Sequence, residues 1–286
     1  MRKQIHTMLA GRFGGSGSVV RLCLPVFLLS LFILSGSDAT GADDVLDWHA
    51  AEVRGDEKAV LVLCPGMNGN GAFFLEESKW MDFAKTHRLG VIALAFRSDP
   101  GGMYGEARQG YYWPEQGSGE ALLSAIRETY GEDLPIIIYG FSGGAQFAGR
   151  FVEWMPERVI GWAAYSAQFW DAPKPHAVTP PGIVACGEHD GSRWHPSFSF
   201  FYQGRALGKP WIWVSLRDTG HVRHGAFESF VREFFEMTLM GESRDYYVDV
   251  GTCDPVADET ATLQPELLAV LTSESLFKSW SAIHAP

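Results

Sequence analysis

Six short apolar runs, each rich in β-branched or aromatic residues, recur along this chain with segments of helical period between them. They cover residues 59–63, 91–96, 135–139, 161–165, 182–186 and 211–216, and turn residues follow each one. Unbroken apolarity over five or six residues is what a strand needs when both of its faces are covered. Helical segments at 78–87, 118–130, 144–155, 196–207 and 225–240 would supply the covering layers. The alternation predicts an α/β fold: a doubly wound, mostly parallel sheet with helices on both faces. Ser118 stands where an N-cap would, ahead of Ala121, Leu122, Ala125 and Ile126, and Gly131 closes that segment. From about residue 241 the pattern weakens. Residues 246–250 read as an added strand, and 265–283 as a terminal helix carrying Leu267, Leu268, Leu271, Leu276, Phe277 and Trp280.

Residues 1–42 differ from the rest. Arg2, Lys3, Arg12 and Arg21 precede an apolar run at 22–34, and small and polar residues follow it to Ala42. This is the anatomy of a secretory leader. The rival, a membrane anchor, would need roughly 20 apolar residues. The expected organisation is therefore a leader over 1–42 and one domain over 43–286 with a C-terminal extension. The expected location is exported, periplasmic or secreted, with no stable membrane anchor once the leader is cleaved.

Cleavage after Ala42 removes four basic residues and one acidic residue, taking the net charge from −11 to −14. Nucleic acids and anionic membranes repel such a surface, so neither is an expected partner. Cys64, Cys186 and Cys253 remain. An odd count leaves at least one thiol unpaired, so no disulfide framework is implied. Cys64 and Cys186 end apolar runs and read as small buried hydrophobes.

The chemistry is carried by Gly140-Phe141-Ser142-Gly143-Gly144, which follows Pro-Ile-Ile-Ile-Tyr directly and precedes a helical segment. A strand, G-x-S-x-G and a helix in that order make a sharp turn that exposes the serine at the carboxyl edge of the sheet. The flanking glycines leave room where side chains would clash. The helix then aims its N-terminal N–H groups at the place where negative charge develops during acyl transfer. A serine hydroxyl is a weak nucleophile near neutral pH and needs a base, and the base needs an orienting group. Asp190, in Gly187-Glu188-His189-Asp190, follows the fifth run; His221, in Asp218-Thr219-Gly220-His221, follows the sixth. Both fall at the edge where such sheets bind ligands.

These residues resemble the α/β-hydrolase superfamily, whose chain order is serine, acid, histidine. The stretch Tyr139-Gly-Phe-Ser-Gly-Gly-Ala-Gln-Phe-Ala-Gly-Arg-Phe151 is similar to the esterase branch that includes polyhydroxybutyrate-depolymerase-like and feruloyl-esterase-like proteins. The resemblance covers about residues 59–240. It implies an oxyanion hole made of two backbone N–H groups, mapped here to Gly143 and to Met67 in Cys64-Pro65-Gly66-Met67. The chain departs from many relatives in having Pro65 where they have histidine. It also leaves only a short stretch before Val60 for leading strands, which implies a trimmed sheet edge.

Rivals exist for each role. His224 is the alternative base, but Gly220 before His221 would allow a tight loop there. Asp171 is the alternative acid. His189, Asp190 and His195 lack a recognised metal-ligand spacing, so no metal is expected, and the triad calls for no cofactor. Aromatic residues crowd the loops at the same edge. Tyr112, Trp113, Trp170 and Trp194 are the expected substrate contacts, although such residues also serve simply to pack loops. About 48 residues separate Ser142 from Asp190 and must hold a helix and a strand, which leaves no room for a large lid. The expected partner is a small-molecule or polymer-derived ester. Peptide-bond cleavage on the same fold, or a non-catalytic binding protein that keeps it, are the other readings.

Overall fold

The computed structural model describes residues 46–97 and 111–286. The leader expected over 1–42 lies outside the described residues. Among those described, seven strands form the main sheet in the order β1-β3-β2-β4-β5-β6-β7. They are β1 (Leu46–Ala51), β2 (Ala59–Cys64), β3 (Leu89–Phe96), β4 (Ile136–Phe141), β5 (Val159–Tyr165), β6 (Gly182–Gly187) and β7 (Trp211–Leu216). All neighbours pair in parallel except β1, which runs antiparallel to β3. Strands β2, β6 and β7 are buried at every position, as unbroken apolar runs covered on both faces should be.

Helices α1 (Ala72–Glu76) and α2 (Ser78–His87) follow β2; α3 (Ser118–Tyr130) precedes β4; α4 (Gly143–Trp154) leaves β4. Then come α5 (Gly191–Ala206) after β6 and α6 (Gly225–Leu239) after β7. The chain steps from β2 to β3 in one direction and from β3 through to β7 in the other. Right-handed crossovers therefore put α1 and α2 on one face and α3, α4 and α5 on the opposite one. The last helix, α6, returns to the first face, where Arg232 lies over the Trp80 ring of α2 and Glu236 reaches His87. The doubly wound sheet expected from the alternation is what the chain forms.

Four local expectations need correction. A strand at β1 was not foreseen, because Leu-Asp-Trp-His-Ala-Ala is half-buried and poor in β-branched residues. Ser118 does not cap its helix: Gly117 holds the cap position at φ 121°, and the Ser118 hydroxyl donates to the Tyr111 carbonyl at 3.0 Å. Helix α5 begins a turn before Pro196, which sits inside it.

The fourth correction concerns the tail. Residues 265–283 are not one helix: Leu268–Leu271 is a strand, β10, and only Glu274–Ile283 is helical, as α7. Strand β10 pairs antiparallel with β8 (Tyr246–Asp249), which pairs with β9 (Pro255–Val256), forming a second small sheet rather than extending the main one. The run Leu-Ala-Val-Leu is short enough to serve either period, and burial at all four positions favoured the strand. The tail then covers the free edge of β7. Ala285 N–H donates to the Ser215 carbonyl at 2.7 Å, and Leu216 bridges His284. The Trp280 indole donates to the Trp213 carbonyl at 2.7 Å.

Candidate active site

Where the strand order reverses, between β2 and β4, the two strands' following loops diverge and leave a crevice. The turn at Gly140–Gly144 and the loop after β2 meet there. Ser142 has φ 55° and ψ −118°, a strained conformation for a residue with a side chain. It is held by its own N–H, which donates to the Tyr165 carbonyl at 2.8 Å. The need for small neighbours is steric. A Cβ on Gly140 would collide with the Gly144 carbonyl, and one on Gly144 with the carbonyls of Cys64 and Pro65.

His221 Nε2 lies 2.9 Å from Ser142 Oγ, and His221 Nδ1 lies 2.7 Å from Asp190 Oδ2. Asp190 is almost wholly buried at 3% exposure, so its carboxylate depends on protein partners. Arg193 Nη1 donates to Oδ1 at 3.2 Å. The Cys186 thiol reaches Oδ2 at 3.8 Å. Burial, reinforced by the Asp190 charge, pushes Cys186 up to about 12, so it remains a thiol able to donate. Its sequence reading as an inert hydrophobe missed this contact.

The imidazole is held from several sides. Phe141, within the serine motif itself, stacks on His221 with centroids 5.1 Å apart. His189 N–H donates to the Thr219 carbonyl at 2.8 Å, and the Tyr165 hydroxyl donates to the Val222 carbonyl at 2.7 Å. The left-handed turn in this loop is made by Asp218, at φ 50°, and not by Gly220. His224 is engaged elsewhere. Its Nδ1 accepts from Phe227 N–H at 3.2 Å and so caps α6. Asp171 pairs with Arg150 at 3.0 Å on another flank.

Met67 and Gly143 adjoin: a Cβ on Gly143 would stand 3.0 Å from the Met67 nitrogen. One built on Gly66 would stand 3.6 Å from Ser142 Cβ, so the loop after β2 runs directly against the serine. The four aromatic residues expected as substrate contacts sit differently from one another. Tyr112 borders Gly143, and Trp170, at 38% exposure, meets Tyr112 edge to face with centroids 5.6 Å apart. Trp113 is buried beneath the Arg150 guanidinium, 4.0 Å from its ring centre. Trp194 is turned into the packing between α5 and β7, stacked on Phe198 and donating to Ser215 Oγ at 3.1 Å.

A cavity of about 310 Å³ on the flank of α4, between Arg150, Glu153, Phe169 and Phe200, includes no member of the Ser142–His221–Asp190 line. Among the described residues, Glu188, His189 and Asp218 bring one possible ligand atom each within 4.8 Å of one another, all three exposed. The grouping expected to be the metal rival is dispersed: Asp190 serves His221, while the His195 ring lies edge-on to Trp194.

No protein-family model matches the chain, and no curated protein matches it in sequence. Solved structures do match. A poly(3-hydroxybutyrate) depolymerase from Bordetella parapertussis is 16% identical, with 75% of this chain and 92% of that one covered and a TM-score of 0.51. An esterase from Pyrococcus furiosus is also 16% identical, covering 74% and 93% with a TM-score of 0.55. A ferulic acid esterase is 14% identical, covering 73% and 96% with a TM-score of 0.53. The chain has the α/β-hydrolase fold.

Proposed function

We propose that this protein is a serine hydrolase that cleaves carboxylic esters through an acyl-enzyme. The observation that carries the reading is the unbroken line Ser142 Oγ, His221 Nε2, His221 Nδ1, Asp190 Oδ2, with its two hydrogen-bond distances of 2.9 and 2.7 Å. His221 takes the proton from Ser142 as the hydroxyl attacks the ester carbonyl, then passes it to the departing alkoxide. Asp190 holds the imidazole with Nε2 facing the serine and balances the charge it gains. The N–H groups of Gly143 and Met67 receive the oxyanion, aided by the N terminus of α4. Water then attacks the acyl-enzyme with the same roles repeated.

Ester chemistry is favoured over peptide cleavage because the solved structures sharing the fold include enzymes described as esterases. Tyr112 and Trp170 form the wall beside Gly143 where an acyl or aryl group would rest, with Trp113 as backing. Trp194 takes no part in this wall. The proposal includes export, on the strength of the leader anatomy of residues 1–42. Among the described residues no helix is long and apolar enough to cross a membrane.

The test is Ser142→Ala on the purified protein with p-nitrophenyl acetate. Turnover should fall by roughly 10³-fold or more, with the circular dichroism spectrum unchanged. A variant that turns over at the native rate would remove Ser142 from the chemistry. Fluorophosphonate labelling of the native chain, absent in the variant, separates a working nucleophile from a binding protein that merely keeps the fold.

A further inference from the structure

The two halves of the proposed reaction are carried by loops that are not neighbours. Met67 sits in the loop after β2 and His221 in the loop after β7, with β4, β5 and β6 between those strands. Each loop has its own anchors, yet the oxyanion donor, the nucleophile and the base must keep one mutual geometry to within a fraction of an ångström.

Arg223, two residues past His221, contacts residues that support the other two. Its Nη1 and Nη2 donate to Glu77 Oε1 and Oε2 at 2.7 and 3.0 Å, a two-pronged pairing, and its Nε donates to Glu228 Oε1 at 2.7 Å. The guanidinium also lies over the rings of Phe73 and Phe74, with centroids 4.9 and 4.7 Å away. Glu77 is the single residue joining α1 to α2. Helix α1 hangs directly from the Met67 loop: Asn70 Oδ1 accepts from Ala72 N–H at 2.9 Å, and Gly71 N–H donates to the Leu94 carbonyl at 2.9 Å. Glu228 is buried, and its Oε1 also accepts from the Tyr139 hydroxyl at 3.2 Å. Tyr139 lies on β4, three residues before Ser142.

We propose that Arg223 is a positioning residue, its guanidinium locking the His221 loop to the Met67 loop through Glu77 and to the nucleophile strand through Glu228 and Tyr139. This rests on the ester-cleaving reading above. The arrangement needs a planar fork. One face stacks on the phenylalanines while three N–H groups serve two carboxylates, which an ammonium cannot reproduce. Burial works against the charge of Arg223, but Glu77 and Glu228 more than offset it and hold its proton more tightly than usual.

The test uses Glu77→Gln, because Glu77 is partly exposed and has no capping hydrogen bond to lose, whereas removing Arg223 would strand the buried Glu228 carboxylate. With p-nitrophenyl acetate, and active sites counted by fluorophosphonate titration, kcat should fall about tenfold while KM stays within about twofold. Arg223→Lys should lose a similar factor, and the double variant no more than either alone. Backbone amides of residues 218–224 should exchange faster with deuterium in Glu77→Gln. Unchanged kcat per titrated site, or additive losses in the double variant, would overturn the proposal. So would base-loop exchange identical to the native protein, a readout that stands even if the native chain cleaves no ester.

Discussion

The Tyr165 hydroxyl donates to the Val222 carbonyl at 2.7 Å, tying the residue after His221 to the strand beside the one that leads into Ser142. Burial holds the Tyr165 phenol protonated well above its usual range, so it donates at every working pH. Tyr165→Phe keeps the ring packing on Phe141 and Phe227 and deletes only this donor. It should lower kcat about fivefold, in line with one lost hydrogen bond. Steady-state kinetics of the variant beside the native protein measure it.

Asp190→Asn should be far more damaging than its size suggests. The amide that replaces the carboxylate can turn its NH₂ toward His221 Nδ1 and favour the tautomer with a hydrogen facing Ser142. A loss in kcat on the order of 10³ to 10⁴ is expected, with KM little changed. Asp171→Asn, at a carboxylate that pairs with Arg150 rather than with His221, serves as the contrasting variant and should cost far less.

Gly144→Ala tests the steric need for small residues around Ser142. The added methyl has the carbonyls of Cys64 and Pro65 against it, so the loop after β2 must give way. Overpacking of this kind costs about 1–3 kcal/mol, read as a lower urea midpoint. Activity should fall as well, because the displaced loop carries Met67.

His284 gives the tail a pH dependence. Its Nδ1 accepts from Ser215 N–H at 3.1 Å, so Nε2 carries the hydrogen and donates to the Val250 carbonyl at 2.8 Å. Burial lowers its pKa to about 4, with the Arg217 charge acting in the same direction and the Val250 bond opposing them. The folded protein therefore resists a proton that the unfolded chain accepts below about pH 6.5. Its contribution is complete above that pH and is lost as pH falls toward 4, by a total on the order of 3 kcal/mol. Urea midpoints from pH 8 to 4 should drop in the native protein, and less steeply in His284→Asn.

Parts of this site could be read before any fold was known, because they are local. The serine motif and its flanking strand and helix lie within about twenty consecutive residues, and Gly140 and Gly144 stand where a Cβ would collide with backbone. Elements of long, uniform pattern were equally legible: the segments at 78–87 and 118–130 match α2 and α3 end to end. The choice between His221 and His224 was not local. Both lie in one loop, and what separates them is a cap on α6 and a stack on Phe141, contacts that depend on how the loop is folded. Trp194 likewise looked like its neighbours in composition and differs only in which way its helix turns it.

The alternation of strands and helices between β2 and α6, the serine turn and the chemical types available to serve it were determined by the chain alone, since each follows from short-range sterics and the period of apolar residues. Tertiary structure decided which side chains meet: Arg223 with Glu77, Cys186 with Asp190, and His284 with the strand edge at Ser215. The first and last of these pairings span 146 and 69 positions, and even the nearest meets only after Asp190 is buried and turned toward its strand. A side chain carries no mark of its partner until packing has brought the two together and removed the water between them.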